Sequence, residues 1–122
     1  LALASLEILV HCAPDLVPRD LVAVEINVPS GVRVDELDAE ALPRFWRRYP
    51  APASLHRLGN AWLDQNSTCV MRVPSALVPS ESNFVINPVH PDARKLRVVR
   101  KAPFRFDPRL ADLVTAGAKG AR

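Results

Sequence analysis

Several things are missing from this sequence, and each absence removes a class of protein. No apolar run approaches the roughly 18 residues that a membrane-crossing helix needs, and the opening residues do not read as a charged–apolar–small signal. The two cysteines, Cys12 and Cys69, lie far apart and form no C-x-x-C unit. That pattern fits reduced, buried thiols in a cytoplasmic protein better than a disulfide framework, although a bridge between the two stays open on sequence alone. His11, His56 and His90 show no recognised ligand spacing with those cysteines or with each other, so no metal site is expected. G-x-S-x-G is absent, which leaves no serine-hydrolase elbow. No helix-turn-helix, zinc-finger or aromatic-interleaved RNA-binding signature appears, and direct nucleic-acid binding is not expected. Internal repeats are absent as well.

What is present is a chain of 122 residues with 48% apolar and 24% charged side chains, the composition of one soluble globular domain. The net charge of +3 conceals an asymmetry. Residues 1–61 carry 6 basic and 8 acidic side chains, whereas residues 62–122 carry 10 basic and 5 acidic. The basic excess gathers at Arg94, Lys95, Arg97, Arg100, Lys101, Arg105 and Arg109. Such a cluster suits a phosphate-bearing ligand or an acidic partner, and equally a solvated strand face.

The apolar pattern of residues 1–11 predicts a largely buried helix, stopped by Pro14 and Pro18. Val22, Val24, Ile26 and Val28 then alternate with more polar residues, the period of a strand with one buried face. Residues 29–31, Pro-Ser-Gly, turn the chain, and the acidic stretch 35–40 suits one exposed helical turn or the lead-in to one. Residues 41–49 set Phe45 and Trp46 among Arg44, Arg47 and Arg48, as in a half-buried segment with snorkelling charges. Ser54 is a candidate N-cap for a helix through about residue 64, with Leu55, Leu58, Trp62 and Ala61 inward. Gly59 inside that helix suggests the close approach of another backbone. Short buried strands are expected at 69–73 and 84–86, and a longer strand at 96–106. Strands interspersed irregularly with helices indicate an α+β domain, a small mixed sheet with flanking helices, over residues 1–115. Residues 116–122 are expected to form a disordered tail.

Two places could carry chemistry. Residues 73–92 form a polar stretch holding Ser75, Ser80, Glu81, Ser82, Asn83, Asn87, His90 and Asp92, stiffened by prolines 74, 79, 88 and 91. A rigid polar loop raised from a sheet is a usual home for binding groups, although the same residue types are also ordinary turn formers. The other place is Glu7, a carboxylate within the apolar helical run SLEILV. Buried, it would need a partner. On a bare 3.6-residue period it could instead share an exposed stripe with Ala4 and His11.

Taken in order, SLEILVH (5–11), LVAVEINVP (21–29), ALPRFWRRYPAPASLHRLGNAWL (41–63) and VPSALVPSESNFVINPVHPD (73–92) resemble the RES domain. This family supplies the toxin of RES–Xre toxin–antitoxin pairs and is named for an arginine, a glutamate and a serine. Its L-P-x-x-W, L-G-x-x-W and N-P-x-H-P-D pieces stand here at 42–46, 58–62 and 87–92. The resemblance implies a fold similar to ADP-ribosyltransferases and cleavage of the nicotinamide–ribose bond of NAD, with NAD as substrate and no resident cofactor. Water or phosphate would be the acceptor, with ADP-ribosyl transfer the nearest variant. It assigns Glu7 as the catalytic carboxylate and Ser75 as the family serine, a donor or positioning group rather than a nucleophile. Asn83 is a substrate-binding candidate, with a donor and an acceptor for ribose or amide. An Xre-like helix-turn-helix antitoxin is the implied partner, and a homo-oligomer is compatible with the reading. The family's arginine and an accompanying tyrosine should precede the glutamate. Only residues 1–6 do so here, so the chain is expected to be an N-terminally trimmed domain with an apolar patch at its first helix. The competing reading is a degenerate RES fold that binds a partner without catalysis.

Overall fold

The computed structural model describes residues 1–12, 18 and 20–110. The tail expected at 116–122 lies outside the described residues. Helices and strands mix irregularly, as an α+β fold requires, and the chain falls into two compact units: Leu1–Ile26 with Val98–Arg122, and Asn27–Arg97.

In the first unit, α1 spans Ala2–His11 and buries Leu3 and Leu9. Leu1, Leu6, Ile8 and Val10 on the same helix are exposed. Ser5 bonds back to the Leu1 carbonyl through its hydroxyl at 2.9 Å and its amide at 3.0 Å, closing the first turn where no capping side chain is present. β1 (Val22–Asn27) pairs with β5 (Arg97–Pro103) in a two-stranded ribbon, extended by a 2.9 Å bond from the Phe104 amide to the Leu21 carbonyl. The burial expected of the β1 alternation is not found: Val22, Val24 and Ile26 are exposed and only Ala23 is half-buried. Two strands alone have too few neighbours to cover both faces.

The second unit holds β2 (Val34–Glu36), α2 (Ala53–Gln65), β3 (Val70–Pro74) and β4 (Ser82–Ile86), in sheet order β2-β3-β4. β2 runs parallel to β3 with Val34 opposite Val70, and β4 runs antiparallel with Met71 opposite Val85. A parallel pair needs a long crossover, and α2 lies within it. The stretch 35–40, expected as a helical turn, is therefore split. Its first residues are strand, and only Ala39–Ala41 make a single 3-10 turn. The Leu37 amide continues the sheet by donating to the Arg72 carbonyl at 3.0 Å.

Cys69 and Val70 are wholly buried, and with Val32 they form the core, against which Val28, Val34, Ile86, Ala93 and Leu96 pack. Polar side chains close the edges of this core. The Trp62 indole donates to Thr68 Oγ1 at 3.0 Å, and that hydroxyl donates to Asp35 Oδ2 at 2.6 Å. One buried hydroxyl thus ties α2 and β2 to the entrance of β3. Asn66, in the left-handed region at φ 48°, caps α2 by donating to the Trp62 and Leu63 carbonyls, and its side chain accepts from Asn87 Nδ2 at 2.9 Å.

The α2 helix departs from expectation in three respects. Its N-cap is Pro52, so Ser54 sits inside the first turn, where the fixed φ of proline suits the start of a helix. Ala61 is exposed, while Leu55 and Leu58 are half-buried and Trp62 is buried. No backbone approaches Gly59, where an added Cβ would meet nothing within 4 Å. The glycine instead borders an open groove of about 280 Å³ that also touches Leu55, Leu63, Met71 and Val85.

Two substitutions check this account by chemical denaturation. Gly59→Ala should stabilise the protein by about 0.5–1 kcal/mol, the helix-propensity gain with no steric cost. Thr68→Val should destabilise it by about 1–3 kcal/mol, since it strands the Trp62 indole N–H and one side of Asp35. A shift in tryptophan fluorescence should accompany the second change.

Candidate functional site

The polar stretch 73–92 is a hairpin followed by a capped turn, and most of its polar groups are spent on holding that shape. Ser75, directly after β3, is wholly buried. Its Oγ accepts from the Leu77 and Val78 amides, each at 3.1 Å, and its own amide donates to the Glu81 carbonyl at 3.0 Å. The Glu81 amide in turn donates to the Val78 carbonyl at 2.8 Å. Ser75 is therefore the organiser of the loop between β3 and β4.

Asn83 lies in β4, opposite Val73 and half-buried. The hairpin thus brings Ser75 and Asn83 into one local structure. Glu7 belongs to the other compact unit, half-buried on α1, while Ala4 and His11 on that helix are exposed.

N-P-x-H-P-D proves to be two nested turns. Asn87, wholly buried, accepts from the Val89 amide through Oδ1 at 3.2 Å, and its backbone amide donates to the Cys69 carbonyl at 2.8 Å. His90 caps the 3-10 helix Pro91–Lys95 by accepting from the Asp92 amide at Nδ1, 3.1 Å away, which places its proton on Nε2. Asp92 meets Lys95 at 2.7 Å, and this hydrogen bond holds the Asp92 carboxyl below its ordinary value against the opposing effect of burial. Burial, helped by the Asp92 charge, pushes the Cys69 thiol up, so it remains protonated and is no nucleophile. Cys12 is likewise a free thiol. Among the described residues, no group of three or more His, Cys, Asp or Glu side chains is arranged to hold a metal ion.

Beside the hairpin lies a polar cleft of about 190 Å³, bordered by Glu36, Asp38, Arg72, Ser80, Glu81 and Ser82. Arg72 spans it, donating from Nη1 to Glu36 Oε1 at 3.1 Å and from Nε to Ser82 Oγ at 3.2 Å. The cleft can take a ribose-sized or amide-sized group, but it is too small for a whole dinucleotide. Sequence reasoning missed Arg72, Glu36 and Ser82 as a set. The apolar stretch 69–73 reads as a short buried strand and gave no signal for Arg72, whose partner Glu36 is brought to it by the parallel β2–β3 register.

The segment 42–49 wraps against the same hairpin, where Arg47 Nε donates to the Ala76 carbonyl at 3.0 Å. Phe45 adopts φ 67°, a left-handed conformation that costs an aromatic residue roughly 1–2 kcal/mol. Its ring is half exposed, with the Arg44 and Arg48 guanidinium carbons 4.9 and 4.0 Å from the ring centre. The basic residues at 94–109 serve more local ends. Lys95 and Arg109 pair with nearby aspartates, and Arg97 donates to the Arg94 and Leu96 carbonyls. Arg100, Lys101 and Arg105 are exposed. No helix of the described residues is long and apolar enough to cross a membrane.

Comparison with known proteins supplies the wider context. The RES domain family model matches residues 1–107, a span that takes in Glu7, Ser75 and Asn83. The chain is 36% identical over 111 residues to a protein named Prs ADP-ribosylating toxin from Sphingobium sp. (strain YBL2), covering 89% of this chain and 69% of that protein. It is 34% identical over 111 residues to Toxin Res of Photorhabdus laumondii, covering 89% and 70%. With Toxin Res of Yersinia enterocolitica the identity is 36% over 110 residues, covering 89% and 72%. A family match over nearly the whole chain, together with relatives aligned over most of their own length, leads to one conclusion: this chain belongs to the RES domain family.

Proposed function

We propose that the chain is the toxin component of a toxin–antitoxin pair and consumes NAD by breaking the nicotinamide–ribose bond. The observation that carries this reading is the 36% identity, over 111 residues, with a protein named as an ADP-ribosylating toxin. ADP-ribosylation draws its ADP-ribose from NAD, so NAD enters as substrate rather than as a resident cofactor. Departure of nicotinamide leaves positive charge on the ribose, as in glycoside cleavage. A fixed carboxylate stabilises that charge, and Glu7 is the group proposed for it. Asn83 offers a donor and an acceptor to ribose or amide. Ser75 acts by fixing the hairpin that carries Asn83. The polar cleft at Arg72 suits one end of the substrate.

Water as acceptor gives free ADP-ribose, phosphate gives its 1-phosphate ester, and a macromolecular acceptor keeps the ADP-ribosyl group. The name of the Sphingobium relative favours the third outcome as the second reading. An Xre-like helix-turn-helix antitoxin as partner, assembly into a homo-oligomer and a cytoplasmic site of action belong to the same proposal.

Incubation with NAD, followed by chromatography, tests it. Nicotinamide should appear, and its co-product identifies the acceptor. Nicotinamide no higher than in a protein-free blank would sink catalysis and leave a non-catalytic interaction module. Glu7→Gln keeps the shape but removes the charge, and should lower the rate about a hundredfold, or roughly 2.7 kcal/mol, as loss of one electrostatic stabiliser does. Near-normal turnover by a folded Glu7→Gln protein would end that assignment. Ser75→Ala should instead cost about 1–3 kcal/mol of folding stability, measured by urea titration, because two loop amides lose their acceptor.

A further inference from the structure

We infer that the Arg44–Tyr49 loop is a docking surface for an acidic segment of a partner protein, a role separate from NAD chemistry. Three of the 6 basic side chains in residues 1–61 fall at 44, 47 and 48, and among the described residues no carboxylate pairs with any of them. The loop is also pre-ordered. Arg47 is tied to the Ala76 carbonyl, and the Arg44 and Arg48 guanidiniums rest over the Phe45 ring. A guanidinium held over a ring has less freedom to lose on binding and still offers N–H donors for a bidentate carboxylate. The left-handed backbone at Phe45 keeps this arrangement at the surface, where Phe45 is 50% and Tyr49 87% exposed. Arginine with tyrosine and other aromatics is the composition of interface hot spots.

Two features decide the kind of partner. The loop presents exposed side chains rather than an enclosed cavity, which disfavours a small phosphate as the occupant. The preceding residues Asp38 and Glu40 would repel the continuous charge of a nucleic-acid backbone, whereas a short acidic peptide can meet the arginines alone.

The test is an NMR titration of the whole ¹⁵N-labelled chain with a short synthetic peptide alternating glutamate, aspartate and leucine. The amides of residues 44–49 should shift saturably, more weakly as salt is raised. The lysine-substituted peptide should leave them unmoved. Arg44→Glu with Arg48→Glu, its fold verified by circular dichroism, should weaken binding about tenfold or more through lost charge-assisted bonds. If that variant fails to fold, Arg44→Gln with Arg48→Gln serves the same comparison. The inference is overturned if the peptide shifts nothing at 44–49, or if inorganic pyrophosphate or oligothymidylate saturates the loop in preference to it. It is equally overturned if sedimentation shows self-association that the charge reversal abolishes, since the occupant would then be a second copy of the chain.

Discussion

The second unit depends on the complete burial of the chain at Cys69 and Val70, where β3 begins. Two wholly buried residues, Cys69 and Val70, cannot be withdrawn from water unless the backbone and side-chain polar groups around them are satisfied. Thr68, Asn87 and Ser75 do this from within, each itself almost or wholly inaccessible. Thr68 joins the indole of α2 to the carboxylate of β2. Asn87 joins the end of β4 to the cap of α2 and to the Cys69 carbonyl. Ser75 closes the far end. No described buried side-chain N or O atom is left without a partner, so the polar shell is complete.

That arrangement changes the meaning of the motifs. L-G-x-x-W supplies the indole that reaches Thr68, and N-P-x-H-P-D supplies an Asn turn and a His cap. N-P-x-H-P-D lies in the stretch that reads as a candidate site in the sequence, yet its Asn and His side chains hold the backbone of the two turns. The family serine, Ser75, also accepts from two loop amides, those of Leu77 and Val78. A residue type common in active sites is often also the type that can satisfy a buried amide, and burial separates the two roles. What the shell leaves facing outward is a different set: Arg72 with Glu36 and Ser82 on one side, and the arginine–phenylalanine loop on another.

Much of the architecture was legible because it follows from local periodicity. The helix at the start, the valine-rich strand, and the strands either side of the polar loop all lie within a few residues of where alternation and proline punctuation put them. The three-residue β2 was not legible. Val-Asp-Glu has no alternation to speak of, and its acidity suggested an exposed turn. Its strand character exists only because Val34 lies opposite Val70 in a parallel pair, a contact that local sequence does not encode. Gly59 misled for the opposite reason: a glycine in a helix implies a close neighbour, and here it borders an open groove.

By itself, the sequence determined the α+β class, the order of its main elements, the family, and the residue types from which a site could be built. It does so because hydrophobic period, proline position and motif order are properties of adjacent residues. Tertiary structure alone decided which polar residues are spent on the fold and which remain available. Ser75 and Ser82 are the same residue type seven positions apart. One is sealed under two loop amides, and the other meets Arg72 at the edge of a cleft. The difference lies in solvent access and in partners brought from distant parts of the chain, which no local pattern can carry.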